Sequence, residues 1–145
     1  MSKIILSQKY ISSICKLALN EDLYPSGDIT TNLIKYGTHK SAKIISNEQG
    51  ILAGTDFVKH TFNLIDRKLI VSFKKKNGSI IKKGEVICVI QGEIKNILVG
   101  ERVALNFLSH ISGIATQTNK YLKYFSYFFL KIVNFLFSRN SNGKA

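Results

Sequence analysis

The hydrophobic period changes twice along this chain of 145 residues, and that change limits the fold more than any other feature. Apolar residues in the segment 7–20 recur at intervals of three and four, which predicts an amphipathic helix. From residue 41 to residue 90 they alternate with polar residues, which predicts strands, except where Val58, Phe62 and Ile65 form the stripe of a second helix. Beyond Gly92 the helical interval returns. We therefore expect an α+β fold in which a mostly antiparallel sheet is flanked by helices.

Turn and cap signals divide the middle of the chain. The segment 47–50 predicts a turn that leads from the first strand towards a second one. Thr55 or Asp56 is expected to cap a second helix, because their side chains accept hydrogen bonds from the free N–H groups at a helix start. The pair Asn77-Gly78 is a good hairpin signal within a Lys-rich turn. It predicts a hairpin between the alternating stretches 69–73 and 86–90, with a second bend at Gly84.

The formal net charge of +12 raises the question of an anionic partner. Lysines clustered on one face would favour nucleic acid. Here they are scattered, and the two clusters, 74–76 and 82–83, flank a predicted turn, where a solvated run of charge is the usual meaning. An AT-rich coding sequence accounts for the abundance of Lys, Ile, Asn, Phe and Tyr. We expect no nucleic-acid partner.

Cys15 and Cys88 lie far apart, each within an apolar pattern. Buried, reduced thiols explain them better than a disulfide or a metal site. The apolar run at the N-terminus is too short for a signal peptide. Both observations predict a cytoplasmic location.

The last predicted helix carries a polar stripe beside its apolar one. Arg102, Asn106, Ser109 and Gly113 are spaced so that they share one face. The stripe is either the solvated side of the helix or a surface presented to another subunit or a ligand. Because glycine in a helix interior costs about 1 kcal/mol relative to alanine, Gly113 points to a close backbone approach. The spacing alone leaves both interpretations open.

Three segments resemble one protein family in their order and spacing. They are 18–31, then 50–54 with the strand-rich stretch up to 86, and finally 100–116. The last is the most specific, because it contains Gly-Glu-Arg-Val-Ala-Leu-Asn followed by Ser-Gly-Ile-Ala-Thr. Together they resemble the N-terminal domain of the quinolinate phosphoribosyltransferases over residues 10–121.

The resemblance implies a reaction and an assembly. Members of the family condense quinolinate with phosphoribosyl pyrophosphate, which gives nicotinate mononucleotide, carbon dioxide and pyrophosphate in NAD biosynthesis. Their fold, phosphoribosyltransferase type II, joins an N-terminal α/β sandwich to a C-terminal α/β barrel. The active site lies at the barrel mouth and is capped by the N-terminal domain of the other subunit of a dimer. Mg²⁺ assists through the pyrophosphate, so the resemblance implies no cofactor bound by this chain alone.

Arg102 matches the family arginine that reaches into the neighbouring subunit and meets a carboxylate of quinolinate. The chemistry suits a diacid, because a guanidinium group can hold a carboxylate through two parallel hydrogen bonds. We also expect Arg102 to lie near a helix start, just after Gly100, where the helix field favours an anion. It is the single predicted substrate-binding residue, and we predict no catalytic and no metal-binding residue.

Other polar residues that match the family are expected to be structural. Glu21, Asp22, Asp28 and Thr30 fit a capped, hydrogen-bonded loop that follows the first helix.

Three histidines, His39, His60 and His110, show no metal-ligand spacing. For His110, which lies within the matching segment, we expect packing or a local hydrogen bond.

The resemblance ends near Tyr121, so we divide the chain into a domain of residues 1–121 and a tail of residues 122–145. The tail is apolar and basic and contains none of the barrel segments that the family implies. Lys131 interrupts its apolar run, which is shorter than the roughly 20 residues of a membrane span. An interfacial helix fits the lysines and aromatics, but no clean polar face separates from the apolar one. We favour a third explanation, loss of the reading frame near residue 122, and expect no membrane partner.

The combined expectation is the N-terminal portion of a nicotinate-nucleotide pyrophosphorylase, inactive alone, whose Arg102 meets quinolinate in a neighbouring subunit. Three alternatives stay open at this point. One is a non-catalytic carrier, since the segment 71–90 faintly resembles a biotinyl or lipoyl hairpin without its modified lysine. The second is a basic nucleic-acid-binding module. The third is the related transferase-like protein linked to molybdenum transport.

Overall fold

Helices and short strands alternate in the part of the chain that the structure describes. The computed structural model describes residues 5–24 and 37–141, with side chains up to Val133. In chain order the elements are α1 (Gln8–Leu23), β1 (His39–Ile45), β2 (Gly50–Ile51), α2 (Thr55–Ile65), β3 (Ile70–Phe73), β4 (Ile80–Ile81), β5 (Val86–Glu93) and α3 (Ile94–Ser141).

The strands form two antiparallel sheets. In the larger sheet β5 lies in the centre, between β1 and β3, and its pairing with β1 begins at His39 opposite Glu93. The smaller sheet pairs β2 with β4, so that Gly50 lies opposite Ile81. The predicted α+β class, with an antiparallel sheet and flanking helices, is confirmed.

The predicted turn at 47–50 connects strands of different sheets rather than neighbours. After β1 the backbone is held against the segment that precedes β5, where Ser46 N–H donates to Glu85 O over 2.9 Å and Gly84 N–H donates to Ser46 O over 2.7 Å. The chain therefore leaves the larger sheet before it enters β2.

The Asn77-Gly78 turn lies in the connection between β3 and β5, which pair with each other in the larger sheet. It leads from β3 into β4, whereas the sheet neighbour of β3 is β5. Gly78 has a φ of 88°, and Ser79 N–H donates to Lys76 O over 3.1 Å, as in a turn that requires a left-handed third residue. A second such turn at Gly84, with φ 81°, sends the chain back into β5. The predicted hairpin is confirmed, since β3 pairs with β5 and Val71 lies opposite Ile90, and its connection contains both predicted turns as well as the short strand β4.

The N-terminus of α2 is capped by a residue distant in sequence. Gly54 precedes the helix in a left-handed conformation, with φ 87°, and Thr55 is already helical. The Thr55 N–H donates a hydrogen bond to the side-chain oxygen Oδ1 of Asn77 over 3.2 Å. The predicted cap at Thr55 or Asp56 is therefore wrong, because Gly54 occupies the cap position and both residues already lie within the first turn of the helix.

The first helix is longer than its apolar spacing predicts. Ser7 caps it, since its Oγ accepts a hydrogen bond from Tyr10 N–H over 3.1 Å. Leu19 is buried and continues the stripe of Ile11 and Cys15 by one more turn, so that α1 packs against α2 and α3. The helix ends only before Tyr24, which is extended, as expected of a residue that precedes proline.

The core lies between α2, α3 and the sheets. Phe62, Leu52 and Val58 are its largest fully buried apolar side chains. α3 approaches α2 closely at Gly100, where an added Cβ would lie 2.6 Å from Ile65 Cδ1 and 2.8 Å from Phe62 Cε1. A side chain at Gly100 would therefore push α3 away from the core.

The last helix is unbroken from Ile94 to Ser141. It continues past Tyr121, where the family resemblance ends, although every described side chain from Lys120 to Ile132 is exposed. In the part of the chain that the structure describes, no helix is long and apolar enough to cross a membrane.

Both cysteines are free and buried, and this burial generates a test of the core. Removal from water raises the pKa of both thiols, that of Cys88 from 9.0 to about 11. At pH 8 neither thiol should react with an aromatic disulfide reagent in the native chain, and both should react in denaturant. The pKa of the Cys88 thiol is higher in the folded chain than in the unfolded chain. The contribution of this thiol to the free energy of unfolding is therefore complete below pH 9.0 and declines as the pH rises towards 11.

The matched control for this test is Ser41→Cys, which places a thiol at an exposed position of β1. It should add one thiol that reacts at once in the native chain. Reaction of Cys15 or Cys88 at the rate of this control thiol would show that the helices do not cover the sheet as described.

Candidate functional site at the cleft between α1 and α3

The predicted polar stripe lies on an exposed side of α3. Arg102, Asn106, Ser109 and Gly113 are all exposed. A Cβ added at Gly113 would meet nothing within 4 Å, so the close backbone approach expected there does not occur within the described chain. The stripe is open to a partner or to solvent along its whole length.

An open cleft of about 790 Å³ runs between the end of α1 and the middle of α3. Its α1 wall includes Glu21 and Asp22, and its α3 wall includes Asn106 and His110. Val103, Phe107 and Ala18 also line it. The cleft thus combines an apolar surface with polar groups on both walls, a composition typical of ligand or partner sites.

Arg102 is tied to the cleft by an ion pair. Its Nε lies 2.7 Å from Asp22 Oδ1, and the side chain of Arg102 is 72% exposed whereas that of Asp22 is 18% exposed. Within the described residues, Asp22 is the ion-pair partner found for Arg102. Because Nε is engaged, the guanidinium is held from one edge, and its two terminal nitrogens remain to bind another group.

The surroundings of Arg102 differ from the expectation in one respect. α3 begins at Ile94, so Arg102 lies in the interior of the helix rather than near its start. Backbone N–H groups there are already bonded within the helix. Any attraction of an anion to Arg102 therefore comes from the guanidinium and not from a helix terminus.

Of the four polar residues expected in a loop after the first helix, the structure describes two. Glu21 and Asp22 belong to the last turn of α1, which continues to Leu23 and so passes the predicted end at residue 20. Asp22 is structural in the sense that it holds Arg102, a role that the loop interpretation missed although both residues match the same family. Asp28 and Thr30 lie outside the described residues.

The three histidines lie apart. His39 is exposed at the start of β1, and His60 Nδ1 lies 2.9 Å from Asp56 O on its own helix. His110 is exposed on the cleft wall and forms no hydrogen bond with the described residues, so the packing or local bond expected for it is not found. Among the described residues no group of three or more His, Cys, Asp or Glu could hold a metal ion.

Two hydroxyl residues that sequence reasoning missed fix α3 in place. Ser112 Oγ accepts a hydrogen bond from Ala53 N–H and donates one to Ala53 O, each over 3.0 Å. One turn later, Thr116 Oγ1 accepts a hydrogen bond from Ile51 N–H over 2.9 Å. These side chains satisfy backbone groups of the β2 segment. The available signal was a pair of hydroxyl residues four positions apart on one helix.

Two glycines allow this contact. A Cβ at Gly50 would lie 2.7 Å from Thr116 Oγ1, and one at Gly54 would lie 3.0 Å from Ile111 Cδ1. The segments 50–54 and 111–116 therefore form one joint, which we call the β2–α3 joint, and this joint positions the helix that carries Arg102.

Ser112→Ala tests the joint. The change leaves Ala53 N–H and C=O unpaired at a part-buried position, so we expect a loss of about 1–3 kcal/mol of unfolding free energy. Ser109→Ala is the matched control, because the Ser109 hydroxyl is exposed and bonds carbonyl groups of its own helix. That control should stay within about 0.5 kcal/mol. Equal losses in urea unfolding of the two variants would show that the joint is not formed.

Asp22→Ala tests how Arg102 is held. Without the acceptor at Nε the guanidinium should become mobile, with its side-chain order parameter falling below about 0.6 in ¹⁵Nε relaxation. The stability should change by less than about 1 kcal/mol, since the pair is partly exposed. Glu21→Ala is the control, because Glu21 is adjacent in sequence but is not paired with Arg102 in the described structure. A guanidinium that is equally mobile in the unaltered chain would contradict the ion pair.

Comparison with known proteins places this geometry in a family. The family model described as the N-terminal domain of quinolinate phosphoribosyl transferase matches residues 28–112. A probable nicotinate-nucleotide pyrophosphorylase of Bacillus subtilis is 38% identical over 95 residues, which cover 66% of this chain and 33% of that protein. The chloroplastic nicotinate-nucleotide pyrophosphorylase of Arabidopsis thaliana is 36% identical over 109 residues, which cover 74% of this chain and 31% of that protein.

Solved structures agree with the sequence matches. The nicotinate-nucleotide pyrophosphorylase from Francisella tularensis superposes with a TM-score of 0.78 at 29% identity, over 82% of this chain and 42% of that one. NadC from Streptococcus pyogenes gives a TM-score of 0.79 at 32% identity, over 83% of this chain and 43% of that one. The chain spans about a third of the length of the curated relatives that it matches. It belongs to the quinolinate phosphoribosyl transferase family, and it corresponds to the N-terminal domain of that family.

Proposed function

We propose that this chain supplies the N-terminal domain of a nicotinate-nucleotide pyrophosphorylase, and that Arg102 binds a carboxylate of quinolinate in the active site of a neighbouring subunit. The enzyme would convert quinolinate and phosphoribosyl pyrophosphate into nicotinate mononucleotide, carbon dioxide and pyrophosphate. The observation that carries the proposal is an exposed arginine, held from one edge by Asp22, within the segment that matches the family.

The geometry of Arg102 suits end-on recognition of a carboxylate. Asp22 occupies Nε, so the two terminal nitrogens can donate parallel hydrogen bonds to the two oxygens of one carboxylate. The 72% exposure of the Arg102 side chain means that little of it must be desolvated before it meets a ligand brought by another subunit. A lysine here would offer only a point charge.

The same cleft is unsuited to the rest of the reaction. Its α1 wall carries the carboxylates of Glu21 and Asp22, of which Asp22 pairs with the Arg102 guanidinium, and carboxylates repel the developing charge of pyrophosphate. Phosphoribosyl transfer requires cationic groups positioned where that charge develops. Asp22 is already paired, and the described residues offer no carboxylate cluster for Mg²⁺. We therefore assign no step that involves the metal to this chain.

A second polypeptide must then complete the site. The stripe of Arg102, Asn106, Ser109 and Gly113 faces outward and is uncovered by the described chain, which is what a surface presented across a subunit boundary requires. Gly113 leaves room for a partner to approach the helix backbone. We propose a homodimer or a larger assembly in the intact family member, with the barrel contributed by another segment or chain.

The purified chain alone should form no nicotinate mononucleotide from quinolinate and phosphoribosyl pyrophosphate, in an assay that follows product by chromatography. In a complex with a barrel-bearing polypeptide, product should form. Arg102→Ala should then lower kcat/KM by on the order of 100-fold, since loss of one partner of a charged pair costs several kcal/mol. The KM for quinolinate should rise, whereas that for phosphoribosyl pyrophosphate should change little.

Arg67→Ala is the matched control, because Arg67 is also exposed but does not belong to the stripe and lies in the turn between α2 and β3. Arg102→Lys separates charge from geometry and should recover only part of the loss. Product formation by the homogeneous chain, or equal activity of the Arg102→Ala and Arg67→Ala complexes, would refute the proposal.

A further inference from the structure

The end of the described part of α3 is an uncovered apolar surface. Every side chain from Lys120 to Ile132 is exposed, and large apolar residues such as Phe125 and Phe128 are more than 60% exposed. Apolar surfaces of this extent are rare on monomeric proteins in water and usually mark an interaction site. No described part of the chain folds back over it, so the surface needs a partner.

In the continuous helix, the segment 120–133 has two faces of different composition. Successive residues of an α-helix are about 100° apart, so one arc of about 100° collects the following residues. They are Lys120, Lys123, Tyr124, Tyr127 and Lys131. Apart from Ser126, the rest of the circumference is apolar or aromatic.

Side-chain contacts agree with this division. Lys131 Nζ lies 4.7 Å from the centroid of the Tyr127 ring, one turn earlier on the same face. On the opposite side the rings of Phe125 and Phe129 are stacked, with centroids 6.5 Å apart. An interfacial helix was set aside because the sequence showed no clean polar face, and in the folded helix that face exists.

We propose that residues 120–133 of α3 dock on an anionic phospholipid bilayer, with the helix axis parallel to the membrane plane. Charge complementarity identifies the partner, because this segment carries three lysines and no acidic residue, on a chain whose net charge is +12. Lysines on the polar side and aromatic residues on the other are the composition of helices that lie at an interface. The lysines meet anionic headgroups while the apolar face enters the acyl boundary.

A second copy of the chain fits the surface less well. A helix–helix seam needs only a narrow apolar stripe, whereas the apolar arc here covers most of the circumference. Pairing two copies would leave much of that arc in water. It would also bring together two segments that are both positively charged. A transmembrane orientation is not supported either, since no described helix is long and apolar enough to span.

Flotation of the full-length chain with lipid vesicles on a density gradient tests the proposal, because bound protein rises with the vesicles whereas aggregated protein sediments. The chain should float with phosphatidylcholine vesicles that contain phosphatidylserine and not with phosphatidylcholine alone, and high salt should reduce flotation. The double variant Lys123→Gln, Lys131→Gln should bind about 20-fold more weakly, at about fivefold for each lysine. Phe125→Ser with Phe129→Ser should weaken binding on the order of 100-fold without any change of charge.

The control is Lys74→Gln with Lys76→Gln, which removes the same charge from an exposed turn of the domain and should change binding by less than about twofold. Three outcomes would overturn the proposal. They are equal flotation with both kinds of vesicle, equal loss in the control and the Lys123/Lys131 variant, and an absence of flotation together with dimers in sedimentation velocity. None of these measurements depends on the transferase reaction, so the proposed function stands or falls separately.

Discussion

The β2–α3 joint is the contact on which the rest of the structure depends. Ser112 and Thr116 satisfy backbone groups of Ala53 and Ile51, which the two-stranded sheet cannot satisfy by itself. A short strand left without such partners would expose polar backbone to an apolar core at a large cost in free energy. The same contact fixes the direction of α3, and with it the position of Arg102 at the cleft. The packing of α3 and the placement of the candidate site therefore depend on the same hydrogen bonds.

Asp22 and Arg102 show how a weak interaction can still set geometry. A partly exposed ion pair contributes little to the free energy of unfolding, yet it restricts a side chain that has several rotatable bonds. Restricting the side chain before the ligand arrives reduces the entropy lost on binding. The acidic wall also has a cost for an anionic ligand, since each carboxylate near the guanidinium offsets part of its charge. Under the proposed function, such a site would favour a carboxylate that another subunit delivers in a fixed orientation over a free anion.

Local patterns predicted the elements, and long-range contacts decided how they are arranged. The stripe of Ile11 and Cys15 and the alternation through Cys88 and Ile90 were sufficient for the helices, the strands and the α+β class. The hydrogen bond that caps α2 was not predictable, because the Thr55 N–H donates to Asn77, which lies in a turn distant in sequence. The hairpin of β3 and β5 was predicted from its turn signals, but β4 within its connection was not, because β4 pairs with the distant β2. At the site, the family resemblance identified Arg102, but its partner Asp22 required the end of α1 to be known.

The order of the strands has a consequence for how this protein folds as it is synthesised. β1 pairs with β5, from His39 to Glu93, and β2 is completed by hydroxyl groups of residues 112 and 116. Contacts between such distant residues form slowly, because a long loop must close first. A nascent chain on the ribosome therefore has no neighbour for its first strand until nearly two thirds of its length has emerged. Over that interval the segment 39–53 is an unpaired β-forming stretch, and it is the part of the chain that a molecular chaperone has most reason to hold.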